Sequence, residues 1–147
     1  MSLERQLEYN SASMGKRFLT CLIDLIFYYI IVFIFGFLFA VITSVFFTET
    51  YFKFANNEKI LMNLIAYSLL FFYYLFSEYL TGKTLGKLIT GTKVVDIEGN
   101  KPSFKMALIR TLCRFIPFDG LSFLFGQGRG WHDTIANSYV IDSKYIV

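Results

Sequence analysis

The sequence predicts an all-α membrane protein with two long transmembrane helices, a third apolar segment, and a small two-stranded β element. Three observations predict this class. The 147 residues are 55% hydrophobic and 20% aromatic, a composition typical of a lipid-facing surface. Residues 25–48 contain no charged side chain, and at ~1.5 Å per residue they exceed the ~30 Å hydrocarbon core of a bilayer. A second apolar run covers residues 60–80.

The first predicted span covers about residues 16–47 and carries an acid near its start. Its apolar part is too long for a cleavable signal peptide. Arg17 and Asp24 lie seven residues apart, so they share one helical face. They are ~10 Å apart along the axis, too far for contact unless the arginine reaches inward. Because an ionised carboxylate is costly on a membrane helix, Asp24 is a candidate functional residue.

The second predicted span, about residues 60–80, carries no charge before Glu78. The preceding polar loop, residues 48–59, has balanced charges, whereas the following loop is rich in glycine and lysine. The positive-inside rule therefore places the N-terminus and the glycine–lysine loop in the cytoplasm. In this orientation Asp24 and Glu78 both lie in the cytoplasmic leaflet.

Two short segments beyond the spans are typical of β-strands. TKVVD (92–96) precedes a turn signal, and SYVID (138–142) lies near the end of the sequence. We expect these strands to pair on the cytoplasmic side, which requires both to lie on one side of the membrane.

The third apolar segment, about residues 104–126, leaves two alternatives open. It is long enough to span, but it contains charged residues and a proline that a lipid-exposed helix tolerates poorly. Ala107, Arg110 and Arg114 share one helical face opposite an apolar face, an interfacial amphipathic pattern. We favour two short amphipathic or re-entrant helices in the cytoplasmic leaflet. A third span is the alternative, and in both cases residues 1–147 form a single domain.

A polar network is expected in the cytoplasmic leaflet because buried ions must be paired. The acids are Asp24, Glu78, Asp119 and Asp133, and the bases are Arg17, Arg110, Arg114 and Arg129. Three interpretations remain: charges that dock the third segment, a site that handles protons or cations, and a partner-binding surface. Lys83 and Lys87 are candidates for contact with anionic lipid headgroups.

Other functions find little support in the sequence. In residues 82–93 two glycines have the spacing of a phosphate-binding loop, but Thr92-Lys93 follow in inverted order. His132-Asp133 lacks further ligands at helical spacing, so we expect no metal site. We also expect no enzyme activity, no cofactor and no nucleic-acid binding, because no matching motif is present.

Four ordered motifs carry a family resemblance: KRF at 16–18 followed by Ile23-Asp24, TGKTLGK at 81–87, GTKVVD at 91–96, and WHD at 131–133. Together they resemble the RDD family of small bacterial membrane proteins, named for one arginine and two aspartates. The resemblance implies that the namesake residues are Arg17, Asp24 and Asp133. It also implies a bacterial inner-membrane location, but no particular activity. Some relatives are associated with cation/proton antiport.

The favoured function is that of a non-enzymatic accessory or assembly subunit of a larger inner-membrane complex. The outer halves of both spans contain no acid, base or histidine, so a one-chain ion path is disfavoured. The expected partners are the bilayer and other membrane subunits or a second copy. One alternative is a component of a Na⁺/H⁺-type antiporter that uses Asp24, and the other is a protein that binds anionic lipids.

Overall fold

Two long helices dominate the structure, a computed structural model that describes residues 3–46, 58–124 and 129–145. A short helix α1 (Leu3–Tyr9) precedes α2 (Met14–Phe46), and α3 (Glu58–Thr81) follows. Stretches at Met14–Phe46 and Met62–Thr81 are long and apolar enough to cross a membrane, which confirms the two predicted candidate spans. The predicted polar loop, residues 48–59, lies outside the described residues except for its last two positions. Residue 47, the last of the first predicted span, also lies outside them.

Helix α2 is buried only near its start. Its buried residues are Arg17, Thr20 and Asp24, all within the first turns. Beyond them the side chains are exposed or half-buried, and Phe33 is 73% exposed. The rest of this helix therefore presents apolar side chains outward in nearly every direction.

The polar ends of α2 and α3 carry a set of short elements. These are α4 (Leu85–Thr90), β1 (Thr92–Val95), α5 (Phe104–Cys113), a 3₁₀ helix (Asp119–Leu124), α6 (Trp131–Ile135), β2 (Tyr139–Asp142) and a final 3₁₀ turn (Ser143–Tyr145). Helix α4 packs against α2, and α5 packs against α3 and α6. The hydroxyl of Thr84 caps α4 by accepting from Lys87 N, and Gly91 ends α4 in the left-handed conformation at φ 68°.

Residues 104–124 form short pieces, as the favoured alternative predicts. Helix α5 has 10 residues and the 3₁₀ helix has 6, so they are ~15 Å and ~12 Å long and too short to cross a bilayer. Residues 125 and 126 lie outside the described part of the chain.

The orientation of α5 differs from the expected interfacial pattern. An interfacial helix turns its basic face to water, but Ala107 and Arg110 are fully buried here. Leu112 points outward instead, with 54% of its surface exposed. The basic face is turned inward because acidic partners on α3 and α6 receive it.

The predicted strand pair is confirmed. Strands β1 and β2 are antiparallel, from Thr92 opposite Asp142 to Val95 opposite Tyr139. The N-terminal segment joins the other edge of β2, where Ala12 N donates to Val140 O at 2.8 Å. Two small apolar clusters surround the sheet, composed of Leu7, Val95, Tyr139 and Ile141, and of Ala12, Val94 and Val140.

Candidate functional site

A cluster of buried charged side chains lies where the two long helices meet the short elements. We define the charge cluster as Arg17, Glu78, Lys87, Arg110, Arg114 and Asp133, which are joined by ion pairs. Asp24 and Asp119 are buried beside it. These residues comprise four bases and four acids, so their formal charges cancel when His132 is neutral.

Glu78, near the end of α3, receives three cations on one carboxylate. Its oxygens lie 2.6 Å from Lys87 Nζ, 2.7 Å from Arg110 Nε and 2.9 Å from Arg114 Nη2. Glu78 itself is fully buried. One acid on a long helix therefore anchors both α4 and the end of α5.

Asp133, on α6, is bonded to Arg17 and also to Arg110, which therefore joins Asp133 to Glu78. Arg17 Nη1 lies 2.5 Å from its Oδ2, and Arg110 Nη1 donates to its Oδ1. Burial would raise the pKa of Asp133, but His132, Arg110 and Arg17 together hold it well below its ordinary value. Asp133 is therefore an anion at any ordinary pH.

The guanidinium groups extend these pairs to the backbone and to neighbouring side chains. Arg17 Nε donates to Ala12 O at 3.2 Å, and its Nη2 donates to Val140 O at 3.3 Å. Arg114 also lies over the ring of Tyr74, 4.1 Å from its centroid. Because guanidinium offers five donors in a rigid fork, lysine could not replace this set of bonds.

Asp24 is not part of the ion pairs, although the sequence placed it in the expected network. Its Oδ1 accepts from Gly86 N at 2.8 Å and from Tyr73 Oη at 2.9 Å, and its Oδ2 accepts from Thr84 Oγ1 at 2.6 Å. Among the described residues, no basic nitrogen lies within 4 Å of this carboxylate. Two of these neutral donors, Thr84 and Gly86, reach it because the start of α4 packs directly onto α2, and the third, Tyr73, lies on α3.

Gly86 makes that close approach possible. A Cβ atom at this position would lie 2.5 Å from Thr20 O and 2.9 Å from Asp24 Oδ1. Both distances are shorter than real Cβ contacts, and the first involves backbone that cannot rotate away. The glycine of the TGKTLGK motif therefore serves helix packing.

The two lysines expected at lipid headgroups differ in position. Lys87 is 3% exposed and bound to Glu78, so its ammonium is not free to meet a headgroup. Burial lowers the pKa of Lys87, and Glu78 opposes that shift. Lys83 is half-buried and remains at the surface.

A second polar contact joins the 3₁₀ helix to α6. Asp119 accepts from His132 N at 3.0 Å and lies 2.8 Å from His132 Nδ1. Burial lowers the pKa of His132 despite the neighbouring carboxylates of Asp133 and Asp119. Arg129, expected in the network, lies instead over the ring of Tyr139 at 4.2 Å.

Several residues at the site were not predicted from the sequence, because they are uncharged and charge patterning does not indicate them. Ser138 Oγ accepts from Arg110 Nη1, and Tyr73 and Thr84 donate to Asp24. The one available signal was Thr84 directly before a helical stretch, a position typical of an N-cap.

A small cavity of about 40 Å³ lies beside the charge cluster. Asp24, Arg114 and His132 line it, and it exceeds the ~10–15 Å³ that a cavity needs to hold a water molecule. Arg114 Nε is buried without a hydrogen-bond partner among the described residues. No three His, Cys, Asp or Glu side chains within the described ranges are placed to hold a metal ion.

The fold and site define a small protein with two candidate membrane-spanning helices and a buried charge cluster at one end. The sequence model of the RDD family matches residues 11–137, and the chain belongs to this family. No curated protein and no solved structure matches the chain.

Proposed function

We propose that this protein is a non-enzymatic integral membrane protein that serves as an accessory or assembly subunit of a larger membrane complex. The observation that carries the proposal is that the apolar side chains of α2 after Asp24 are exposed or half-buried. Phe33, Val45 and Phe46 are 73%, 66% and 74% exposed, and no described residue of α2 after Asp24 is buried. Lipid alone can cover such a surface, but a partner helix can cover it as well.

Loose packing between the two long helices supports a partner. An apolar cavity of about 50 Å³ lies between them, lined by Gly36 on α2 and Ala66 on α3. Helices associate in membranes through close packing of small residues, and here these small residues leave a gap. A third helix supplied by another subunit would complete the packing of α2.

The charge cluster supports a structural role for the polar end. Its acids and bases are bonded to one another, and each carboxylate has at least two partners. Such an arrangement holds α4, α5 and α6 firmly against the long helices. This rigid end would keep α2 and α3 in register for a partner.

Photo-crosslinking tests the subunit proposal. A photoreactive residue at Phe33, introduced into the protein in its native membrane, should form one discrete adduct with a second membrane protein. The same residue at Glu98, an exposed turn position, is the control and should form none. The partner should also co-purify stoichiometrically in mild detergent. Adducts with lipid only, or with a second copy only, would contradict the proposal.

We also propose a bacterial inner-membrane location with the N-terminus in the cytoplasm. The lysines after α3 support this orientation through the positive-inside rule. Cys21 and Cys113 are first replaced by Ala. Glu98→Cys should then resist an impermeant maleimide applied outside intact spheroplasts, whereas Asn56→Cys should react. The reverse pattern would reject the orientation.

A cation/proton antiport function is the second candidate, and one observation favours it. Asp24 lines the small cavity beside the charge cluster and has no ion-pair partner among the described residues. The contrary observation is that residues 25–46 and 62–77 contain no acid, base or histidine. Asp24→Asn should abolish sodium-dependent proton movement in inverted vesicles at equal protein level, and Glu98→Gln should not. Absence of transport in the wild type rejects this candidate.

A further inference from the structure

An apolar cleft of about 680 Å³ opens at the outside of the molecule, between α2, α3 and α4. Its walls include Ile31 on α2, Phe72 and Phe76 on α3, and Leu88 on α4. Phe72 and Leu88 are 51% and 64% exposed, so the cleft is open along its side. A lining of this kind excludes a polar ligand as the occupant of its depth.

The length of the cleft matches one leaflet of a membrane. Along α3 it runs from Leu69 to Thr81, which at 1.5 Å per residue is ~18 Å. Half of a ~30 Å hydrocarbon core is ~15 Å. The cleft therefore has the length of a single acyl chain standing in one leaflet.

A lysine lines this cleft where α3 ends and the loop to α4 begins. Lys83 lines it, beside Thr81 and Thr84. No carboxylate of the described residues lies within 4 Å of the Lys83 ammonium, whereas Lys87, four residues later, is bound to Glu78. A basic group beside the end of a spanning helix attracts the phosphate of an anionic lipid.

We propose that this cleft binds one anionic phospholipid, with an acyl chain between Phe76 and Leu88 and its phosphate at Lys83. Charge complementarity at one end and apolar walls of leaflet length favour a lipid over a helix from a second copy. The proposal is independent of the accessory-subunit function, because Phe33, Val45 and Phe46, the exposed residues on which that function was argued, do not line this cleft.

The headgroup half of the proposal is tested by native mass spectrometry of the full chain in detergent. The probes are phosphatidylglycerol and phosphatidylcholine with identical acyl chains. The wild type should retain one phosphatidylglycerol in preference to phosphatidylcholine. Lys83→Ala should weaken phosphatidylglycerol retention about fivefold, and Lys105→Ala, an equal charge change at an exposed position on α5, should not. Equal losses in both variants would overturn the assignment of Lys83.

The acyl-chain half is tested by filling the cleft. Leu88→Trp should reduce retention of both lipids, because the larger ring occupies the space between α3 and α4. Ile89→Trp is the matched control, since Ile89 is the next residue on α4 and is 60% exposed. Unchanged lipid retention in Leu88→Trp would overturn the proposal. A dimer in the wild type that Leu88→Trp abolishes would also overturn it, by assigning the cleft to a second copy. If the wild type retains the lipid as expected but no partner protein crosslinks or co-purifies, only the subunit proposal is contradicted.

Discussion

Arg17 Nη1 lies 2.5 Å from Asp133 Oδ2 and joins residues 116 positions apart in the chain. Both side chains are buried, at 7% and 0% exposure. The pair connects the start of the first long helix to the last short helix, α6, and so closes the fold around the charge cluster. Two of the three residues that the family resemblance singles out are thus one ion pair, and the third, Asp24, has a separate role.

Removing Arg17 should strongly destabilise the protein. Arg17→Ala leaves the buried Asp133 with one fewer cation and removes the Arg17 donor to Ala12 O, and it leaves Val140 O with Ala12 N as its remaining donor. Breaking a buried pair costs ~3–5 kcal/mol. Arg17→Lys should recover part of the loss, since lysine restores charge but not the fork. Thermal unfolding in detergent, followed by a maleimide dye that reacts with Cys21 and Cys113, measures the change. Arg5→Ala, at an exposed position, should leave the midpoint unchanged. A stable Arg17→Ala variant would contradict the closing role.

Neutralising Glu78 should harm the protein more than neutralising Asp24. Glu78→Gln leaves Lys87, Arg110 and Arg114 without their shared anion, so a loss of ~3–5 kcal/mol is expected. Asp24→Asn keeps one oxygen for Gly86 N, and the hydroxyl of Thr84 can rotate to accept from the new amide, so ~1 kcal/mol is expected. Unfolding midpoints and protein levels in the membrane measure both variants. The opposite order would show that Asp24, not Glu78, holds the cluster together.

Gly86 should tolerate no side chain. Gly86→Ala places a methyl group 2.5 Å from Thr20 O, which forces α4 away from α2 and breaks the bonds to Asp24. Gly91→Ala provides the comparison, because nothing lies within 4 Å of its Cβ position and only its φ of 68° is strained, at a cost of ~1 kcal/mol. Limited proteolysis should cut the 81–93 region in Gly86→Ala well before Gly91→Ala. Equal resistance in the two variants would argue against the close contact.

Acidification should destabilise the protein through His132, the only histidine of the chain. Burial is the largest cause of the lowered pKa of His132. The carboxylates of Asp133 and Asp119 raise this pKa, and the nearby Arg114 and Arg110 lower it. As the pH falls below about 6.5, the unfolded chain therefore binds the proton before the folded chain does. The free energy of unfolding decreases from that pH down to the pKa of His132 in the folded state. The unfolding midpoint by circular dichroism should fall between about pH 7.5 and about pH 5.5.

His132→Asn is the control for this pH effect. Its amide nitrogen replaces Nδ1 as the donor to Asp119, but it does not titrate. The variant should show a smaller fall in midpoint over the same range. A fall as large as in the wild type would assign the pH dependence to other groups.

The sequence predicted the long helices and the strand pair because their signals are periodic and local. The charge-free run after Asp24 and the TKVVD and SYVID segments each indicate one structure independently of the rest of the chain. Five members of the charge cluster were among the residues expected in the polar network, since buried ions must find partners. The sixth, Lys87, was expected at lipid headgroups instead, and Arg129 was expected in the network but lies outside the cluster.

The pairing within the cluster could not be predicted from the sequence. Which acid meets which base depends on the angle at which α5 and α6 dock, and that angle is set by contacts distant in the chain. Asp24 shows the limit most clearly: its partners are a backbone amide and two hydroxyl groups, and charge patterning carries no information about them. The amphipathic pattern of α5 left the same question open, because amphipathicity gives two faces but not which one meets protein. The expected polar network placed Arg110 inward, whereas the interfacial pattern placed it toward water.

Trp131, the only tryptophan of the chain, should report that the short helices lie within a membrane leaflet. It is 46% exposed on α6. Other outward residues are Ile135 at the end of α6, Leu112 on α5 and Phe118 just before the 3₁₀ helix, which are 55%, 54% and 77% exposed. The inward faces of these elements carry the ion pairs instead, the reverse of a helix standing in water. We therefore expect lipid, not water, around them, at the depth where tryptophan is enriched. In reconstituted vesicles, lipids brominated near the carbonyl end of the acyl chain should quench Trp131 fluorescence strongly, and lipids brominated near the methyl end should quench it less. Trp131→Phe supplies the blank. Efficient quenching by aqueous iodide with none by either brominated lipid would place α6 in water and contradict the immersion of the charge cluster.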